Sequence, residues 1–294
     1  GSLATSTKIF QTSGGTILHQ NAVSNFFANP NLTPEIHKEL ELGIEAKFFK
    51  NRVGVDVSLY TKDSEDLIID LDLDNSTGYS SSTVNSASIN NKGVEAILNV
   101  IPVQSRDFTW DVSASFSLLR SEVISIADGI DQIYVGGYVG RGNIAIPGLP
   151  YGILEGEVIR RDYGSLDGTD HTQVHWDDRT NYTPIVNANG GYQFLGYGVI
   201  GNPQPDFVYG VTNTLSYKWA TLRVQFDSQV GGDVFSTTNS TLLGRGILQE
   251  TDFDRFVPVV TKGLSADGTP NTTQTTANAQ YCPNTGVFYD ENSI

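Results

Sequence analysis

Asp70, Asp72 and Asp74 stand at alternate positions, the spacing with which a calcium loop begins and a hard cation collects carboxylate oxygens. The rest of such a loop does not follow. Counting an EF-hand from Asp70 places Asn75 where the sharp turn needs glycine and Ser81 where a bidentate glutamate closes the site. A solvated acidic loop accounts for the three aspartates better, with an irregular calcium site as the weaker alternative. His171 and His175, followed by Asp177 and Asp178, suit a metal only if that stretch is helical, and its neighbours carry no helical pattern. Carboxylate pairs raise glycoside hydrolysis, which needs two acids facing each other across a cleft. Here the acids lie in loops or alternate along apolar runs, and there is no Gly-x-Ser-x-Gly elbow, phosphate loop or dinucleotide fingerprint. The sequence predicts no enzyme, no resident cofactor and no metal centre beyond that weak aspartate candidate. The polar connections do hold aromatics, notably Tyr134, Tyr138, Tyr151, Trp176, Tyr182 and Tyr192. Such rings stack on sugars or press against a capping partner, and mutual packing of the loops is an equal account of them.

The elements that position these loops repeat one plan three times: an alternating apolar/polar run, a tight turn flanked by aromatics, and a second alternating run. In the first copy Leu40, Leu42, Ile44, Ala46 and Phe48 oppose Glu39, Glu41, Glu45 and Lys47; after the turn at Lys50-Asn51-Arg52, Val53, Val55, Val57 and Leu59 oppose Asp56 and Ser58. The second runs through Val94, Ala96, Leu98 and Val100, turns at Gln104-Ser105-Arg106, and returns through Phe108, Trp110, Val112, Ala114 and Phe116, with Glu95 and Asp111 on the other face. The third sets Phe207, Tyr209, Val211 and Leu215 against Leu222, Val224 and Phe226 across Lys218-Trp219-Ala220, with Arg223 and Asp227 opposite.

Runs of about eleven residues, rising roughly 3.4 Å each and tilted by about 45°, cover roughly 26 Å along a membrane normal. The pattern therefore predicts an all-β fold: an antiparallel transmembrane β-barrel segment with lipid outside and water inside. Glu39, Glu41, Glu45, Asp56, Glu95, Asp111, Arg223 and Asp227 are the expected lumen-facing charges. A one-residue slip would turn the first strand's charges toward lipid, so the register is strongly specified. Aromatics at the short turns mark a headgroup-level rim, read as periplasmic. The predicted hairpins lie near residues 38–63, 88–120 and 206–230, and the long connections at 63–87, 121–205 and 231–294 fall on the opposite rim. Residues 1–36 are expected to be an irregular surface loop, and a small hairpin is expected around 154–163. The alternative is a soluble extracellular β-sandwich binding glycans or proteins, but its strands are shorter and its turns more frequent.

Composition agrees with strands rather than membrane helices. With 38% hydrophobic residues and a mean hydropathy of -0.20, no stretch approaches the roughly eighteen consecutive apolar residues of a helical span. A net charge of -15 argues against a nucleic-acid surface. The single Cys282 supports no disulfide framework. Because the edges of an open sheet cannot stay unsatisfied in lipid, these strands are expected to be part of a larger, closed barrel.

Ordered landmarks strengthen that expectation. Asn29-Pro30-Asn31-Leu32-Thr33-Pro34-Glu35, Glu41-Leu42-Gly43 and Phe48-Phe49-Lys50-Asn51-Arg52 are followed by Asn90-Asn91-Lys92-Gly93-Val94-Glu95 and Gly148-Leu149-Pro150-Tyr151-Gly152. Gly201-Asn202-Pro203-Gln204-Pro205-Asp206-Phe207 and Gly231-Gly232-Asp233-Val234 complete the series. In these blocks, over residues 29–240, the sequence resembles the SusC/RagA family of TonB-dependent outer-membrane transporters. The resemblance implies the C-terminal part of a plugged barrel of about 22 strands, in the outer membrane of a Gram-negative bacterium. It also implies uptake of oligosaccharides or peptides with a SusD-like surface lipoprotein, and energy from TonB acting through a plug. The plug and the closing strands are expected to lie outside these 294 residues.

Overall fold

The computed structural model describes residues 5–11, 17–23, 25–138, 140–162, 181–249, 252, 254 and 256–276. In chain order its strands are β1 (Thr5–Gln11), β2 (Ile17–Val23), β3 (Phe26–Phe27), β4 (Ile36–Phe48), β5 (Val53–Asp72), β6 (Ser81–Gln104) and β7 (Phe108–Ser125). A small second sheet takes β8 (Ile133–Tyr138), β9 (Arg141–Ala145), β10 (Ile153–Ile159) and, later, β13 (Phe194–Gly201); β11 (Arg161–Asp162) pairs with β12 (Thr183–Pro184). Then come β14 (Pro205–Tyr217), β15 (Ala220–Gly231) and the helix α1 (Thr237–Arg245).

One seven-stranded sheet dominates, running β15-β14-β7-β6-β5-β4 with β3 pairing in parallel beside the start of β6. Each neighbour on the main path is antiparallel. The three hairpins of the sequence pattern are its three consecutive pairs, and residues 126–204 leave and re-enter the sheet between β7 and β14. The register carries alternation across strands as well as along them. Ala46, Val55, Leu98, Ala114, Val211 and Phe226 form one continuous crosswise row, while Glu45, Asp56, Ile97, Ser115, Gly210 and Asp227 form a row on the other face.

The apolar face is bare. Leu42 is 68% exposed, Ile44 73%, Leu222 60% and Phe226 65%, so among the described residues no second sheet covers it as a sandwich requires. The buried core lies in the excursion instead, where Leu154, Val158 and Ile200 cluster against Leu195 and Phe235, and Ile144 and Ile153 are fully buried.

Three expectations change. Residues 63–87 are not mainly loop: β5 continues to Asp72 and β6 starts at Ser81, leaving 73–80 as the connection. A bulge between Ser64 and Leu67, with Asp66 at φ 56°, breaks the local alternation and lets the ladder resume above it. The hairpin expected around 154–163 does not form, because β10 pairs with β9 and with β13, some forty residues onward. Residues 1–36 are not wholly irregular, since β1 and β2 form an antiparallel hairpin and β4 begins at Ile36.

Candidate functional site

The eight charges expected on one face all lie on it. Glu45 pairs directly with Asp56, Glu95 with Ser58, and Asp227 with Gly210; Thr214 stands between Asp111 and Arg223; Glu41 and Glu39 oppose Tyr60 and Lys62. Their alternation with the bare apolar rows follows from the two-residue period of a strand. Lys47 Nζ meets Glu45 Oε1 at 2.7 Å, two residues apart and therefore on the same face. Centrally this face forms a groove of about 750 Å³ floored by Asp56, Ser58, Glu95, Ser115, Ser117 and Asp227. A Cβ on Gly210 would meet Asp227 Oδ1 at 2.7 Å, so a larger residue there would displace that carboxylate.

The face is not uniformly polar. Ile97 and Val208 line the same groove, although their cross-strand neighbours, Asp56 and Ser115 for the first and Ser117 and Gln229 for the second, are polar. Nor is the other face uniformly apolar: Asn213 stands between Val112 and Val224. Its amide oxygen accepts a 3.2 Å hydrogen bond from Trp110 Nε1. Alternation could locate these positions, but their departure from it gave no indication of the partner.

Four of the ordered sequence landmarks, at 29–35, 148–152, 201–207 and 231–234, converge on the end of the sheet opposite the short turns. Asn29 Oδ1 accepts from the Asn31 amide, and Asn29 Nδ2 donates to the Thr83 carbonyl. Asn85 does most of the fastening: its Oδ1 accepts from Thr33 N at 2.8 Å, and its Nδ2 donates to the carbonyls of Thr33 and Asp66 at 2.7 and 2.8 Å. Glu35 Oε1 accepts from Ile68 N at 2.9 Å, so residues 29–35 strap the bulge from outside. Sequence reasoning missed Asn85, whose signal was only an isolated polar residue among serines and alanines. Three more blocks knit together nearby. Asn202 N donates to Asp233 Oδ2, Asp233 N donates to Asn202 O, and Gln204 Nε2 donates to the Tyr151 carbonyl. The excursion is anchored to β7 where Val123 N donates to Leu149 O and Gly148 N to Val123 O.

The candidate aromatics do not form one cluster. Tyr134 and Tyr151 line a common groove of about 320 Å³ with Ile68 and Ile69. The Tyr134 hydroxyl donates to Glu155 Oε2, accepts from Gly140 N, and is pushed above its ordinary pKa of 10.0 by burial and then by the hydrogen bond to Glu155. Glu155 is itself buried and accepts from Gln132 Nε2 at 2.8 Å. Tyr182 and Tyr192 are half-buried beside the 183–193 segment, away from that groove. Tyr138 ends β8, with only its backbone described, while Trp176, His171, His175, Asp177, Asp178 and Cys282 lie outside the described residues.

The aspartate series is put to structural use. Asp70 on β5 accepts from Thr83 Oγ1 at 2.5 Å across the ladder. Asp74 accepts from Ser76 N at 2.7 Å, and its hydrogen bonds to Ser76 lower its pKa. Asp72 lies at the end of β5, its side chain outside the described set. Among the described residues no three His, Cys, Asp or Glu side chains gather at metal-binding distance.

Comparison with known proteins agrees with this two-faced wall. Residues 2–227 match the family model "TonB dependent receptor-like, beta-barrel". TonB-dependent receptor P3 of Formosa agariphila is 30% identical over 231 residues, a match covering 75% of this chain and 22% of that protein. TonB-dependent receptor SusC of Bacteroides thetaiotaomicron is 23% identical, over 82% of this chain and 24% of its own length. Among solved structures, the RagAB peptide transporter superposes with a TM-score of 0.57 at 18% identity, covering 81% of this chain and 25% of the other. This chain thus spans about a fifth to a quarter of the relatives' length, and the likeness to RagAB is one of fold.

Proposed function

The chain belongs to the TonB-dependent receptor β-barrel family, resembling SusC and RagA, and from that premise we propose that it builds part of the wall of an energy-coupled outer-membrane importer. The carrying observation is the sheet with one face bare and apolar and the other lined by Glu45, Asp56, Glu95 and Asp227. Such a sheet is stable where lipid solvates the first face and water the second. These charges then face the lumen, and the knitted end formed by the 29–35 strap, Tyr151, Gln204 and Asp233 is the extracellular lip. Residues 1–294 act as one partial barrel domain of a longer protein, whose plug would receive TonB.

The cargo proposed for the whole protein is oligosaccharide or peptide, captured with a SusD-like surface lipoprotein seated on the lip. The peptide-transporting RagAB among the fold neighbours supports the peptide class, and the oligosaccharide class rests on the resemblance to the SusC/RagA family. Tyr134 and Tyr151, converging on one groove, are the substrate- or partner-facing aromatics of this reading, and Tyr138, Trp176, Tyr182 and Tyr192 belong to the same excursion. The relatives are receptors rather than enzymes, and the wall needs no catalytic group.

The test is deletion of the parent gene, followed by growth and uptake on defined oligosaccharides and on defined peptides. Loss of uptake of one class, restored by the intact gene, supports the importer and selects the cargo. Unchanged uptake of both, with the protein present in the outer membrane of the parent strain, contradicts it.

A further inference from the structure

The rim of short turns carries a charge pattern opposite to that of the chain. Overall there are 33 acidic against 18 basic residues, yet each of the three turns presents an exposed cation: Lys50, Arg106 and Lys218. None of these three forms a salt bridge among the described residues, and Asp107 is the only acid within the turns. Exposed aromatics stand beside them, with Trp219 94% and Phe49 77% exposed. Lys218 Nζ lies 5.3 Å from the centroid of the Tyr217 ring, on the apolar face. The turns are consecutive along the sheet edge, and Lys218 N donates to Asp107 O at 2.9 Å, joining two of them directly. With strands about 4.8 Å apart, cations on successive hairpins are spaced by roughly 10 Å, a distance suited to separate lipid headgroups.

Backbone geometry provides an independent sign that these side chains matter. Phe49, Lys50 and Asn51 have φ of 53°, 57° and 67°, and Lys218 has φ of 49°. Left-handed turn positions are met most cheaply by glycine or asparagine. Two lysines and a phenylalanine occupy them here, which costs turn stability and places a cation and a ring at the tip.

We infer that this rim selects anionic glycerophospholipids in the leaflet it faces, with Lys50, Arg106 and Lys218 each meeting a net-negative headgroup while Phe49, Tyr217 and Trp219 seat at the boundary between headgroups and acyl chains. Cations beside interfacial aromatics match such a surface in charge and polarity. The inference rests on the barrel-wall reading and extends it to lipid selectivity at one rim.

The test uses the whole protein in nanodiscs containing equal phosphatidylglycerol and phosphatidylcholine, with the lipids retained on the released barrel counted by native mass spectrometry. The wild type retains a several-fold excess of phosphatidylglycerol, which falls toward parity in high salt and in the triple variant K50Q/R106Q/K218Q. Equal retention by the wild type, or a preference untouched by salt and by the variant, overturns the inference. Should the variant fail to fold, the salt dependence of the wild type decides. Heat-modifiable electrophoretic migration of the wild type tests the barrel reading separately: its absence sinks that reading, whereas its presence with equal lipid retention sinks only the lipid inference.

Discussion

Trp110 and Asn213, on adjacent strands β7 and β14, share a hydrogen bond from indole nitrogen to amide oxygen within the apolar face. Trp110 is paired with Leu215 and Asn213 with Val112, so the contact is diagonal, two residues along the ladder. An amide on a lipid-facing position is costly unless paired, and the indole supplies a donor without adding another exposed polar group.

Removing the donor therefore costs more than the ring's lost packing. Trp110→Phe is expected to destabilise the barrel by about 1–3 kcal/mol, and most of that loss disappears in an Asn213→Val background. Equilibrium urea unfolding of the whole protein in bilayers, arranged as a double-mutant cycle, checks this. Equal losses in both backgrounds would show that the bond carries no coupling.

Tyr60 lies across its cross-strand partner Gly93, where an added Cβ would run into the ring. Gly93→Ala must push that ring aside, an overpacking cost of about 1–3 kcal/mol. Tyr60→Ala/Gly93→Ala removes the clash, so the glycine substitution costs markedly less there than alone. Thermal unfolding followed by heat-modifiable migration measures both.

The strap at the lip depends on one side chain. Asn85→Ala deletes three hydrogen bonds to Thr33 and Asp66. Hydrogen exchange at the Thr33 amide is expected to accelerate at least tenfold, while amides of β14 and β15 are unchanged. Unaltered protection at Thr33 would show that other contacts hold the strap.

Tyr134 gives a pH signature to the excursion sheet. Burial and the Glu155 hydrogen bond raise its pKa above 10.0, so the folded state disfavours ionisation. Its contribution to stability is complete below the ordinary phenol pKa and is lost as pH rises through the raised folded value. The ultraviolet difference titration between the wild type and Tyr134→Phe should show the missing phenol ionising above the ordinary tyrosine range, and a difference at the ordinary pKa would contradict it.

Alternation in the sequence located the three hairpins because membrane-facing strands need one apolar and one polar face at every step. It failed above the bulge, where Leu67, Ile68 and Ile69 are consecutive and a two-residue period gives no face. It failed again at Ile153–Ile159, because the partners of that strand are chosen by packing of Leu154, Val158 and Ile200, which no local turn encodes. The charges of the groove were legible one strand at a time. Their crosswise rows, the Asn85 strap and the Trp110–Asn213 bond depend on register between distant segments.

The most direct test of the two-faced wall is cysteine accessibility in isolated outer membranes containing the whole protein. Ser115→Cys and Asp227→Cys lie on the polar face; Ala114→Cys and Phe226→Cys, one residue away in each strand, lie on the apolar face. A small charged thiol reagent is expected to modify the first pair and to spare the second until detergent unfolding. Equal labelling of all four, or the reverse pattern, would contradict a wall with lipid on one side and water on the other.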